Sequence, residues 1–106
     1  MNKVFKALSD PTRRQVLQLL RKRPMTAGEL SVQFAVSKPT MSGHFAVLKE
    51  ADLIDAEKIG TTITYRLKMS VLEEALLEFA QAFGMEMKNG SPDAAVGEGL
   101  KKGTPS

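Results

Sequence analysis

The chain contains no cysteine and no tryptophan, and only one tyrosine and one histidine among its 106 residues. Without cysteine no disulfide and no thiolate metal site can form. With one histidine, no imidazole-based transition-metal site can be built within a single subunit. Nor is there a phosphate-binding glycine loop. Nothing in this inventory supports an enzyme, and the acids Glu50, Asp52, Asp55 and Glu57 read as the solvent face of a hairpin. No apolar run approaches the length of a membrane span. The opening Met-Asn-Lys-Val-Phe-Lys lacks the apolar core of a signal peptide. The expectation is a soluble cytoplasmic protein with no metal and no cofactor. The length suits one small domain.

What charge there is lies unevenly. Residues 1–49 hold nine Lys/Arg and two acids, whereas residues 50–84 hold three Lys/Arg and seven acids. A net charge of +3 is no more than a solvated surface needs. The asymmetry, however, suggests an anionic partner for the first half.

Local signals divide the chain into elements. A short helix is expected over 2–8, with Val4, Phe5 and Leu8 on one side. Asp10-Pro11 then marks a helix start, a capping carboxylate followed by proline at the first helical position. That helix, about 11–22, should bury Val16, Leu17, Leu19 and Leu20. Arg21, Lys22 and Arg23 read as a solvated end, where cations suit the helix dipole. Thr26 and Glu29 have the spacing of a capping box, opening a helix to about Phe34. After a brief turn the next helix begins at Ser37. The pair has the layout of a helix-turn-helix.

Residues 37–49 are the focus. Ser37 can cap the helix, and Pro39 sits in the first turn, where its missing N–H costs little. Met41, Phe45 and Leu48 share one side. The other side carries Pro39, Thr40, Ser42, Gly43, Ala46 and Val47, mostly short side chains. Gly43 in mid-helix costs about 1 kcal/mol relative to Ala. Close approach of a partner to the backbone would explain it; an ordinary surface helix with a weak spot would also fit.

Beyond this helix the period changes to two. Ile54, Ala56 and Lys58, then Ile63, Tyr65 and Leu67, alternate with polar residues on either side of Gly60. A hairpin directly after a recognition-type helix is a wing. The fold class expected is mainly α with a small β-hairpin: a winged helix-turn-helix of five helices and a two-stranded wing. The fifth helix, about 70–83, starts from a Ser70…Glu73 capping box and stops at Gly84. Its many apolar residues exceed one core stripe and suggest an oligomer interface. Residues 1–84 form the expected domain. Residues 85–106, rich in Gly and lacking aromatics, read as a flexible tail.

At this point the chain resembles the ArsR family of small winged-helix repressors, and within it the cysteine-free autorepressor branch. The matching stretches are Phe-Lys-Ala-Leu-Ser-Asp-Pro-Thr-Arg-Arg at 5–14, Val16-Leu17 and Leu19-Leu20, and Met-Thr-Ala-Gly-Glu-Leu at 25–30. They continue with Val-Ser-Lys-Pro-Thr-Met-Ser-Gly-His-Phe at 36–45, Leu-Lys-Glu-Ala-Asp-Leu at 48–53 and Thr-Tyr-Arg-Leu at 64–67. Asp52 stands where the family usually has glycine, and aspartate tolerates a left-handed backbone better than most residues. The metal-sensing members carry Cys before the turn, or paired His and acidic ligands on the last helix; neither set is present here.

The resemblance implies a homodimer joined through the first and last helices, binding an inverted-repeat operator in double-stranded DNA. Val4, Phe5, Leu8, Leu72, Leu76, Phe79 and Phe83 are the interface residues expected. Ser42 and His44 match the family's Ser-x-His on the recognition helix, and this implies that His44 contacts DNA, although the helical wheel puts it at the border of the buried stripe. Arg13 matches the Arg after Asp-Pro-Thr. Thr40, Ser42 and Gly43 are expected at the groove. Arg13, Arg14, Ser37 and Lys38 are expected on phosphate, with Lys58, Thr61 and Thr62 reaching the backbone or minor groove from the wing. The alternative is a winged-helix module that binds protein through its apolar last helix. The releasing signal, whether a sequestering protein, a small molecule or neither, is not legible.

Overall fold

Short-range capping signals set several of the helix boundaries. The computed structural model of the chain describes residues 2–85. In order these form α1 (Asn2–Leu8), α2 (Pro11–Lys22), β1 (Met25–Thr26), α3 (Ala27–Ser31), α4 (Lys38–Glu50), β2 (Ile54–Ile59), β3 (Thr62–Leu67) and α5 (Met69–Ala82). Packing divides the chain within α5, into residues 1–75 and 76–106. Apart from Met85, the expected tail lies outside the described residues.

In the first unit α2, α3 and α4 each start where their caps predict. Asp10 accepts a hydrogen bond from the Arg13 backbone N–H at 3.1 Å, with Pro11 as the first residue of α2. The capping box of α3 is complete: Thr26 Oγ1 accepts from Glu29 N at 3.0 Å, and Glu29 Oε1 accepts from Thr26 N at 2.9 Å. Ser37 Oγ accepts from Thr40 N at 3.2 Å to open α4.

The end of α4 depends on Asp52, which adopts φ 61°. Asp52 N donates to Lys49 O at 2.9 Å and Leu53 N to Leu48 O at 3.0 Å. This is the Schellman pattern, and its accompanying apolar pair is Leu48 and Leu53, both fully buried. Lys68 closes over the same turn, with Nζ 2.7 Å from Asp52 Oδ1 and its backbone N–H on Leu53 O at 2.9 Å.

The sheet corrects the expectation of two strands. It has three antiparallel strands in the order β1-β3-β2. β1 is only Met25–Thr26, paired with Tyr65 and Thr64 of β3. Two residues carry no periodicity to read; the strand exists because β3 offers it a partner. The β2–β3 hairpin is as expected, with Gly60 at φ 63° as the first of two linking residues, the position glycine takes in type II′ links.

Two boundaries also differ. α3 ends at Ser31 and not near Phe34. Gln33 N bonds Leu30 O and Phe34 N bonds Ser31 O, three-residue turns that tighten the chain ahead of α4. α5 begins at Met69, so Ser70 lies inside its first turn and is not the cap. Lys68, held to Leu53 and Asp52, fixes the chain one residue earlier.

The core of this unit gathers Val4 and Ala7 of α1, Val16, Leu17 and Leu20 of α2, and Leu30 of α3. Met41, Phe45 and Leu48 of α4, with Leu53, Ile54 and Tyr65, complete its centre. Leu19, expected inside, is half-buried at its edge. Each fully buried leucine contributes about 1.5–3 kcal/mol relative to exposure.

In the second unit the end of α5 is a further Schellman turn. Gly84 has φ 69°, its N–H donates to Gln81 O at 3.1 Å, and Met85 N donates to Ala80 O at 2.8 Å. The Phe79 and Phe83 rings lie 4.8 Å apart between centroids. No described helix is long and apolar enough to cross a membrane.

Two predictions follow from the caps. Asp52→Val should lower the free energy of urea unfolding by about 1–2 kcal/mol, the penalty of a left-handed backbone for a branched residue. Asp52→Gly should keep a midpoint close to wild type; equal midpoints for Val and Gly would contradict the role of this φ. The carboxyls of Asp10 and Glu29 are both held below their ordinary values of 3.8 and 4.5, chiefly by the capped backbone N–H groups. Their stabilisation is therefore complete above those ordinary values and lost as pH falls toward the depressed folded ones. Urea unfolding across this range should show stability falling with acid. Asp10→Asn combined with Glu29→Gln, which removes both titrations, should flatten that fall.

Candidate nucleic-acid interface

Helix α4 turns one side wholly inward. Met41, Phe45 and Leu48 are buried, and the Phe45 ring lies 4.5 Å from that of Tyr65 at an interplanar angle of 33°. The helix is thus clamped against β3. The opposite side is open and thin: Pro39, Thr40, Ser42, Gly43 and Ala46 are exposed, and Val47 is half-buried. A Cβ added at Gly43 would meet nothing within 4 Å, and its backbone is ordinary helix. The fold itself therefore does not require glycine at this position.

At the head of the helix Ser37 Oγ donates to Thr40 Oγ1 at 2.9 Å, and Lys38 is exposed beside them. Between α4 and the hairpin lies an open hollow of about 460 Å³, lined by Ser42, Phe45, Ala46, Lys49, Glu50 and Tyr65. At the hairpin tip Lys58, Ile59, Gly60, Thr61 and Thr62 are all exposed, Ile59 by 69%. Among the described residues Lys38, Lys49 and Lys58 form no ion pair, whereas Glu50 pairs with Lys3 at 3.4 Å and Glu57 with Arg66 at 2.9 Å. The structure thus brings Ser37, Lys38, Thr40, Ser42 and Gly43 onto one exposed helix surface, and Lys58, Thr61 and Thr62 onto one loop. Lys49 belongs with the former and was not expected. The signal was available, because Lys49 follows Ser42 by seven residues, two helical turns along the same side.

Arg13, Arg14 and His44 sit differently. The Arg13 guanidinium faces the C-terminal end of α1, with Nε donating to Ala7 O at 2.9 Å and Nη2 to Lys6 O at 2.8 Å. Arg14 Nη1 donates to Leu8 O at 2.8 Å. Cations suit this end of a helix, where the last carbonyls lack partners. Arg13 Nη1 also lies 3.1 Å from His44 Nδ1, and His44 Nε2 is 3.9 Å from Asp10 Oδ2. The Asp10 carboxyl is held below its usual range, first by the Arg13 backbone N–H. Sequence reasoning reached Asp10 only as a cap; its link to His44 spans 34 residues of chain and leaves no local signal.

The residues expected at a dimer interface also divide. Val4 is buried in the core, Phe5 and Leu8 are half-buried, and Leu72 packs partly on the core. In the second unit Leu76 is half-buried, and Phe79 and Phe83 are exposed by 38% and 68%; Leu77 and Met85, outside the expected set, are exposed by 43% and 56%. Among the described residues no cluster of three or more His, Cys, Asp or Glu side chains is placed to hold a metal ion.

Known proteins share this arrangement. A family profile described as a helix-turn-helix domain matches residues 8–57. The transcriptional repressor SdpR of Bacillus subtilis is 46% identical over 76 residues, covering 72% of this chain and 84% of that protein. An arsenical resistance operon repressor of Staphylococcus xylosus is 33% identical over 73 residues, covering 69% of this chain and 70% of that protein. The crystal structure of an ArsR family transcriptional regulator superposes with a TM-score of 0.67 at 30% identity, over 81% of this chain and 92% of that one. A clamped helix with a bare outer face, a hairpin beside it and these likenesses converge: the chain belongs to the ArsR family of helix-turn-helix transcriptional regulators.

Proposed function

We propose that the chain is a homodimeric repressor of an inverted-repeat operator, acting in the cytoplasm by occupying a promoter. Two α4 helices, one per protomer, enter successive major grooves about 34–36 Å apart. Ser42 and Gly43 approach base edges, and Thr40, Ser37 and Lys38 hold the helix N-terminus on phosphate. Lys58, Thr61 and Thr62 reach the flanking backbone or minor groove, and Lys49 and Arg14 add phosphate contacts. Support comes above all from Gly43, a glycine that the fold does not need, on the outer face of a helix that the core holds rigidly. The names of two relatives, a transcriptional repressor and an arsenical resistance operon repressor, agree with this reading.

Dimerisation is assigned to the apolar surface of α5 and the turn that closes it, on the exposure of Leu77, Phe83 and Met85. With α5 taken up by a second copy, a separate protein partner on the same surface is the weaker reading. It would also leave the basic first half unexplained.

Duplexes enriched from a random pool should bind with an affinity that falls steeply with salt, by a log–log slope of about −0.9 per phosphate neutralised. Gly43→Ala should raise stability by about 0.5–1 kcal/mol and at the same time weaken binding of the enriched duplex. A stabilised variant that binds DNA as well as wild type would remove the close-approach argument. Phe83→Asp should shift light scattering from dimer to monomer; an unchanged dimer would take α5 out of the interface.

A further inference from the structure

We infer that Arg13 and Asp10 are positioning residues: together they hold the His44 imidazole against the first two helices, with Nδ1 withheld from DNA, and so set the angle of the recognition helix. The effect on affinity rests on the DNA-binding reading above, while the geometry stands without it.

A guanidinium has donors and no acceptor. Its Nη1 lies 3.1 Å from His44 Nδ1, so Nδ1 holds a lone pair and the neutral ring carries its proton on Nε2. That second nitrogen looks toward Asp10, 3.9 Å from Oδ2. The same carboxylate oxygen accepts the Arg13 backbone N–H at 3.1 Å. The ring is thus flanked by a cation on one edge and an anion on the other, with its side chain only 14% exposed. The remaining edge of the guanidinium is taken by Ala7 O at 2.9 Å and Lys6 O at 2.8 Å.

One arginine therefore ties the end of α1, the start of α2 and the middle of α4. To reach a phosphate it would have to leave both carbonyls and the imidazole. His44 directly follows Gly43 and lies two residues after Ser42, so fixing its ring fixes the rotation of the residues offered to the groove. Lysine cannot replace this tie, because one ammonium lacks the planar fork that spans three acceptors.

The test uses the full chain. Its one histidine gives a single imidazole pattern in two-bond proton–nitrogen correlation spectra recorded well above neutral pH. Expected is the Nε2–H pattern, with an Nδ1 resonance that moves in Arg13→Lys. An Nδ1–H pattern, or an Nδ1 resonance indifferent to residue 13, overturns the proposal.

On the enriched duplex, Arg13→Lys and Arg13→Gln should each lose roughly tenfold or more in affinity, the scale of one charge-assisted hydrogen bond, at an unchanged salt slope. Wild-type affinity in Arg13→Lys, or a slope reduced by about one in Arg13→Gln, would mark a phosphate contact and overturn it. If wild type binds no duplex, the proposed function fails, and the wild-type spectrum still decides the placement of His44.

Discussion

The structure depends on the burial of one stripe of α4. Met41, Phe45 and Leu48 give the first unit the middle of its core, and Phe45 against Tyr65 joins the helix to the sheet. Replacing Leu48 by Ala would forfeit about 2–5 kcal/mol, a large share of what a domain of this size has. Because the large apolar side chains of α4 point inward, the middle of its outer face is left with Gly43, Ser42 and Ala46. The stabilising face and the proposed recognition face are thus two sides of one helix. The core supplies rigidity, and the absence of bulk on the far side supplies access.

Around that helix the chain is held by terminal hydrogen bonds as well as by the sheet. Asp10, Thr26 and Ser37 begin three helices through side-chain oxygens, and Asp52 and Gly84 end two through left-handed backbones. The end of α1 is different. Its carbonyls are met by arginines from α2, so a helix of seven residues, too short to persist alone, is secured from outside. The same contacts reach His44. The region that presents the bare face of α4 is consequently continuous with the region that steadies the N-terminus.

What could be read from the sequence was what lies within a few residues. The caps at Asp10, Thr26 and Ser37 and the hairpin turn at Gly60 are local decisions, and each appears where its residues place it, while the left-handed Asp52 followed from the family pattern, in which glycine usually stands there. The inward stripe of α4 followed from spacing alone. What could not be read depends on partners distant in sequence. β1 is two residues that become a strand only beside β3. α5 starts one residue early because Lys68 is fastened to the end of α4. His44 lay on the border of the buried stripe on the wheel, and only the arrival of Arg13 from α2 turns it inward. The candidate site was legible as a face of α4 and a hairpin tip. The division of labour within it, between residues free to meet a partner and residues holding their neighbours, was not.

The central claim is that the bare face of α4, with the hairpin tip, is the surface that meets DNA. Titrating the labelled protein with its enriched duplex and following backbone amide resonances tests this directly. The account predicts that the largest shifts fall on Ser42, Gly43, Ala46 and Lys49 and on residues 58–62, with little change at Leu77 and Phe83. Shifts concentrated on α5, with Gly43 unmoved, would contradict it.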